Sequence, residues 1–118
     1  SDELKKRTKQ FALRIIHLVE ALPSNQIGRV IGNQLMRSAT SVGANYRAAC
    51  RGRSKAEFLA KIGIVIEEAD EALYWMELIV EANLLPDERL TDLMQEADEL
   101  IAIMTASAIT ARKNLSRK

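Results

Sequence analysis

The chain has few of the residues that build turns, disulfides and metal sites. Its 118 residues include five glycines, two prolines, one cysteine and one histidine. So few turn formers argue against the many short strands of a sandwich or barrel and favour a small number of long elements. The lone Cys50 excludes an intramolecular disulfide framework, and we expect a reducing, cytoplasmic location.

Long apolar runs are also missing. The longest spans only a few residues, and the N-terminus, Ser1-Asp2-Glu3, has no apolar signal core, so we expect neither a membrane span nor a secretion signal. The apolar content is aliphatic, because hydrophobic residues make up 47% of the chain and aromatic residues only 4%. At this length, that composition predicts a single domain, residues 1–118, built from packed helices.

Apolar residues recur at helical spacing in four segments. These segments predict helices over about residues 2–22, 25–51, 54–83 and 87–113. Pro23 ends the first helix, and Ser24 or Asn25 can cap the second. Ser54 and Glu57 fit a capping box at the start of the third helix. Because the connections are short, successive helices must lie antiparallel, which predicts an all-α, up-down-up-down four-helix bundle.

The middle of the second helix is rich in small residues. These are Ser38, Ala39, Ser41, Gly43 and Ala44. Helix propensity alone would favour larger side chains at such positions. We therefore expect the backbone of another helix to approach closely here.

Two helices carry more apolar surface than one bundle needs. At about 100° per residue, several large apolar side chains and two acids point away from the core of the third and fourth helices. Scattered apolar residues are common on protein surfaces, but a stripe on each of two adjacent helices favours a subunit interface. The predicted interface residues of a homo-oligomer are Ile64, Glu67, Glu71, Trp75, Leu78, Ile103 and Ile109.

No residue pattern typical of catalysis or metal binding is evident. His17 has Ala21 four residues further along the helix, so it lacks the partner of a helical metal site. Cys50 has no histidine near it in the sequence for a nucleophile–base pair. The acidic run over residues 67–71 spreads around its helix and is typical of a solvated or interface surface. We predict no catalytic residue, no metal ligand and no cofactor.

The net charge of +1 conceals two halves of opposite sign. Residues 1–63 carry twelve Lys and Arg against four Asp and Glu, whereas residues 64–111 carry Arg89 against twelve acids. The tail from Arg112 to Lys118 is basic again. This division favours either a bipolar surface for self-association or a basic face for an anionic partner.

A row of arginines occupies one side of the second helix, opposite its apolar stripe. The helix has no acid between Ile27 and Arg51 to pair with them. Arginines in such a row can bind phosphates without reading the base sequence. The predicted nucleic-acid-binding residues are Arg29, Arg37, Arg47, Arg51, Arg53 and Lys55. The start of the first helix adds further positive charge at Lys5, Lys6, Arg7 and Lys9.

Three functions stay open on this basis. The first is a non-catalytic oligomer that binds RNA or DNA backbone, or a nucleic-acid-processing protein partner, through these cations. The second is a purely structural or adaptor oligomer, in which the arginines pair with acids of the same chain or the next subunit. The third is a small all-α enzyme that places Arg and Glu around an anionic metabolite, although no catalytic set is visible.

The sequence resembles the bacterial 23S rRNA intervening-sequence proteins, small four-helix-bundle proteins first noticed as reading frames within intervening sequences of ribosomal RNA genes. The resemblance lies in residues 34–49, QLMRSATSVGANYRAA, with Arg51, Ser54 and Phe58, and in residues 67–78, EEADEALYWMEL. Together with the Leu85-Pro86 break, it spans nearly the whole chain. Many relatives have an acid where this chain has Ala49, so any role of that carboxylate does not carry over.

The resemblance implies a fold and an assembly more than an activity. Members of the family, some of them labelled ribosomal proteins, look like homopentameric rings of antiparallel four-helix bundles. A related branch, the accessory variability determinant of diversity-generating retroelements, forms a basic pentameric barrel that binds a reverse transcriptase and nucleic acid. The resemblance therefore implies further copies of the chain, and RNA, DNA or a protein, as partners. The lack of long apolar runs predicts no membrane partner.

Overall fold

The computed structural model describes residues 1–116, which form four long α-helices joined by short connections. The helices are α1, Asp2–Glu20; α2, Gln26–Cys50; α3, Lys55–Glu81; and α4, Thr91–Ser116. Successive helices pack against each other in an antiparallel four-helix bundle, which confirms the predicted all-α fold. Arg117 and Lys118, the end of the predicted basic tail, lie outside the described residues.

Helix ends follow the capping signals in the sequence. Asn25, and not Ser24, caps α2, and its Oδ1 accepts a hydrogen bond from the Gly28 N–H at 2.9 Å. Ser54 caps α3 and accepts from the Glu57 N–H at 3.1 Å. The Glu57 carboxylate reaches back, but to the N–H of Arg53 at 2.6 Å, one residue before the cap. The predicted capping box is therefore present with its second hydrogen bond displaced by one residue.

The fourth helix begins at Thr91 and not near Asp87. Asp87–Arg89 form a 3₁₀ turn, in which the Leu90 N–H donates to the Asp87 carbonyl at 2.9 Å. Such tight turns are frequent at helix starts. Asn83, which follows α3, has a left-handed backbone with φ of 56°, a conformation that asparagine tolerates at helix ends. The chain therefore uses residues 82–90 to reverse direction between α3 and α4.

The core is aliphatic and comes from the stripes that the sequence predicts. The largest completely buried side chains include Phe11, Ile15, Leu35, Ile62, Met76, Ile79, Leu90, Leu100 and Met104. Thr8 and Ser38 are the buried polar residues among those described. Their hydroxyls donate to carbonyl oxygens one turn earlier, at 2.9 and 3.0 Å, so their burial leaves no unsatisfied group.

Small residues in the middle of α2 let α1 come close, as predicted. Ser38 and Ala39 are completely buried, and a Cβ atom on Gly43 would lie 3.4 Å from the carbonyl oxygen of Thr8. The α1 backbone therefore passes directly over Gly43. As a result, α1 and α2 form a closely packed hairpin.

On its other side, α1 meets α4 through the ion pairs of Arg7. The guanidinium contacts Glu96 at 2.6 and 3.1 Å and Glu99 at 3.2 Å, and the Glu96 hydrogen bond raises the pKa of Arg7. Otherwise α1 packs mainly against α2. Within residues 1–116, no helix is both long enough and apolar enough to cross a membrane.

Candidate nucleic-acid interface

A groove between α1 and α2 brings together cations from both helices. We call it the basic groove. It is open to solvent, has a volume of about 410 Å³, and is lined by Lys5, Lys6, Lys9, Ala12, Thr40, Gly43, Ala44 and Arg47. The lysines come from α1 and the arginine from α2, so positive charge lies on both sides.

Small residues form the part of the groove between these cations. Lys5 and Lys9 lie one turn apart on α1, which puts them on the same side of the helix. Ala12 and Ala44 contribute only methyl groups, and Gly43 contributes no side chain. These small residues leave the middle of the groove free of bulky side chains.

The positive charge of the basic groove is almost uncompensated. Lys6, Lys9 and Arg47 are exposed and form no ion pair with any residue in the described part of the chain. Lys5 contacts Asp2 at 3.9 Å, but that carboxylate is 97% exposed, so the pair is weak. No acid is among the lining residues described. The groove therefore presents a local positive potential to solvent.

Arg37 lies on the opposite flank of α2 and is engaged by α3. Its guanidinium hydrogen-bonds to Glu68 at 3.0 Å and to Glu71, whose carboxylate also accepts from the Trp75 indole N–H at 3.0 Å. Hydrogen bonding to Glu71 raises the pKa of Arg37. The sequence left open whether the arginines pair with acids, and for Arg37 the structure shows such pairing within the chain.

Replacing Glu71 with glutamine should remove part of the acid dependence of stability. The hydrogen bond from Trp75, followed by that from Arg37, lowers the pKa of Glu71 below its ordinary value of 4.5. Glu71 is thus protonated less readily in the folded state than in the unfolded state. Its contribution to the free energy of unfolding is therefore complete above about pH 4.5 and is lost as the pH falls below that value. We expect E71Q to cost less than about 1 kcal/mol at pH 7.

Urea unfolding at about pH 7 and pH 3 measures this difference. The difference in the free energy of unfolding between the unmodified protein and E71Q should disappear at the lower pH. Glu67→Gln is the matched control, because Glu67 is exposed and has no ion pair among the described contacts. A gap of equal size at both pH values would contradict the assignment.

The other predicted binding residues are exposed but lie apart from the basic groove. Arg29 lies beside the α1–α2 connection, in a depression that also contains Glu20. Arg53 and Lys55 line a shallow depression at the start of α3. The Glu57 carboxylate also lies there, and it accepts a hydrogen bond from the backbone N–H of Arg53. Arg51 is exposed at the end of α2. Of the six predicted residues, the structure therefore brings only Arg47 together with the α1 lysines.

Lys5, Lys6 and Lys9 were not assigned to the binding site on the basis of sequence. The sequence does show positive charge at the start of the first helix, and Lys5 and Lys9 are spaced four residues apart. What the sequence does not show is that α1 and α2 bring these lysines beside Arg47. This juxtaposition depends on the packing of the hairpin.

The predicted interface residues differ in exposure. Ile64 and Ile109 are exposed at 37% and 47%, whereas Leu78 and Ile103 are half-buried. Trp75 packs against the core of its own chain and contacts the exposed Tyr74 edge to face, with ring centroids 5.2 Å apart. Glu67 is exposed, and Glu71 is engaged by Arg37. The subunit interface stays a prediction.

Metal-binding side chains are dispersed over the part of the chain that the structure covers. In residues 1–116, no three His, Cys, Asp or Glu side chains lie close enough together to hold a metal ion. His17 is exposed, with Glu20 as its acidic neighbour at 3.4 Å, and Cys50 is half-buried.

Comparison with known proteins identifies relatives of the whole bundle. The family model described as 23S rRNA-intervening sequence protein matches residues 2–106, which include α1 to α3 and most of α4. A crystal structure of a protein with unknown function from the S23 ribosomal protein family of Bacteroides thetaiotaomicron VPI-5482 has a TM-score of 0.83 and 32% identity. That alignment covers 88% of this chain and 96% of the other. Comparison with curated proteins yields no relative.

Proposed function

Since the chain belongs to the 23S rRNA-intervening sequence protein family, we propose that it is a non-catalytic oligomeric protein that binds nucleic acid backbone through the basic groove. One observation carries this proposal. Four cations from two helices surround a groove of small residues, and the described lining contains no acid. Such an arrangement suits the closely spaced phosphate groups of a nucleic acid.

The chemistry of the lining residues favours backbone contacts over base recognition. The Arg47 guanidinium can donate two parallel hydrogen bonds to one phosphate, and the lysines supply mobile point charges. The described lining residues include no asparagine or glutamine to read adenine edges, and we propose that Arg47 and the lysines, which can also bind guanine edges, contact phosphate instead. Binding is therefore proposed to be independent of sequence.

Oligomerisation would repeat the groove around an assembly. We propose the homopentameric ring that the family resemblance implies, with Ile64 and Ile109 as exposed apolar residues available to an interface. Several grooves on one assembly would contact one polyanion at several points and increase its apparent affinity. The proposed location is the cytoplasm, in keeping with the relation of the family to ribosomal RNA, and a nucleic-acid-processing protein is a further proposed partner.

Fluorescence anisotropy with labelled RNA and DNA oligonucleotides tests the proposed function. We expect binding at about 50 mM salt that weakens by roughly 100-fold at 200 mM, because four phosphate contacts on one chain release about 0.9 counterion each. Affinity should be similar for unrelated sequences of equal length. Absence of binding at the lower salt concentration would contradict the proposal.

A purely structural or adaptor oligomer is the second candidate. The pairing of Arg37 with Glu68 and Glu71 favours it, because acids of the same chain occupy part of the arginine row. This candidate predicts an assembly that binds no nucleic acid at low salt. Light scattering and the anisotropy measurement, made on the same sample, therefore distinguish the two functions.

A further inference from the structure

The basic groove contains no aromatic side chain among its described lining residues. Three lysines, one arginine, one threonine, two alanines and one glycine make up that lining. Proteins that hold single strands stack successive bases on aromatic side chains and gain much of their affinity from this contact. A single strand in this groove would gain only phosphate contacts.

The aromatic residues of the chain lie elsewhere in the fold. Phe11 and Tyr46 are buried in the core. Tyr74 and Trp75 lie on α3, beside the Glu71 carboxylate that Trp75 contacts. Phe58 is half-buried near the start of α3. None of them is part of the basic groove.

Neutral hydrogen-bond donors are missing from the described lining as well. The one hydroxyl, on Thr40, lies 2.7 Å from the Met36 carbonyl oxygen and 3.2 Å from that of Arg37, so its proton is used within α2. The remaining side-chain donors are the four cations. Unpaired bases, which a single strand exposes and a duplex hides, therefore find neither a stacking surface nor a neutral donor.

A duplex presents mainly phosphate groups on its outside, which are the groups that the cations of the groove bind. It carries one phosphate per about 1.7 Å of its axis, so its charge is denser than that of a single strand. It is also stiff, and so it loses less conformational freedom on binding than a flexible strand does. We infer that the basic groove selects double-stranded over single-stranded nucleic acid and contacts the outside of the duplex along its phosphate backbone. This inference rests on the proposed function.

Four labelled probes test the inference with the full chain. They are a 20-base-pair RNA duplex, a DNA duplex of the same sequence, and one unstructured single strand of each kind. At about 50 mM salt the duplexes should bind at least roughly tenfold more tightly than the strands. In a plot of the logarithm of affinity against the logarithm of salt concentration, four phosphate contacts on one chain predict a slope of about −3.6 for duplexes and about −2.8 for strands.

The outcomes separate the inference from the proposed function. Strands that bind as tightly as duplexes overturn the inference and leave the proposed function in place, whereas failure of all four probes overturns both. Thr40→Trp is a second test, because it adds a stacking surface at an exposed position of the groove. It should raise strand affinity by roughly tenfold or more relative to duplex affinity, so that the preference for duplexes becomes smaller. An equal gain in affinity for single strands and duplexes would contradict the inference.

Discussion

Replacing Lys9 and Arg47 together with glutamate should weaken nucleic acid binding by at least about 100-fold. A hydrogen bond to a charged group contributes about 1.5–3 kcal/mol, so loss of two such contacts removes at least about 3 kcal/mol, at about 1.4 kcal/mol per factor of ten. The new carboxylates would in addition repel phosphates. Both side chains are exposed and unpaired among the described residues, so helicity should not change. Anisotropy and circular dichroism measure the two effects.

The matched control reverses two cations outside the groove. Arg14 and Arg89 are exposed and form no ion pair with any residue from 1 to 116. Arg14→Glu with Arg89→Glu changes the net charge by the same amount as the groove variant. We expect this control to retain most of the binding. Equal losses in the two variants would mean that overall charge, and not the basic groove, attracts the nucleic acid.

Gly28→Ala should lower the free energy of unfolding by about 1–3 kcal/mol, although alanine is the better helix former. A Cβ atom at this position would collide with the backbone carbonyl oxygen of Pro23. That carbonyl cannot rotate away as a side chain can, so the α1–α2 connection must shift as a whole. The shift would also disturb the Asn25 cap, whose Oδ1 would lie 3.4 Å from the added atom. Urea or thermal unfolding measures the loss.

Gly63→Ala provides the comparison, since it is the same substitution inside a helix. An added Cβ atom on Gly63 would meet nothing within 4 Å apart from its chain neighbours and the backbone of its own helix. Only helix propensity then acts, and we expect a gain of up to about 1 kcal/mol. Opposite signs for the two alanine variants would support the close approach at Gly28, and a Gly28→Ala protein as stable as the unmodified one would refute it.

The fold was predictable because each helix repeats one simple pattern. In α2, for example, Leu35, Val42 and Ala49 recur every seven residues, and all three are buried. The start of α4 was less predictable. Pro86 and Asp87 resemble an ordinary helix start, and the 3₁₀ turn that follows them depends on burying Leu90 completely, which is a tertiary contact.

The candidate site was predictable only in part, because the position of a residue on its own helix does not reveal its neighbours. Arg37 and Arg47 both point away from the apolar stripe of α2, so the sequence places them in one row. In the bundle, α1 flanks α2 on the side of Arg47, and α3 flanks it on the side of Arg37. Which helix lies on which side is decided by the handedness of the bundle, and periodicity contains no information on that.

The attachment of α1 has a thermodynamic consequence for the basic groove. This helix packs mainly along α2 and meets α4 through Arg7, with Glu96 and Glu99. Sub-global opening begins with the element that has the least packing, and detachment of α1 would remove three of the four cations from the groove. The proposed polyanion, by contacting both helices, would stabilise only the closed hairpin. Binding at the groove, as proposed, would therefore also protect the backbone amides of α1 against opening.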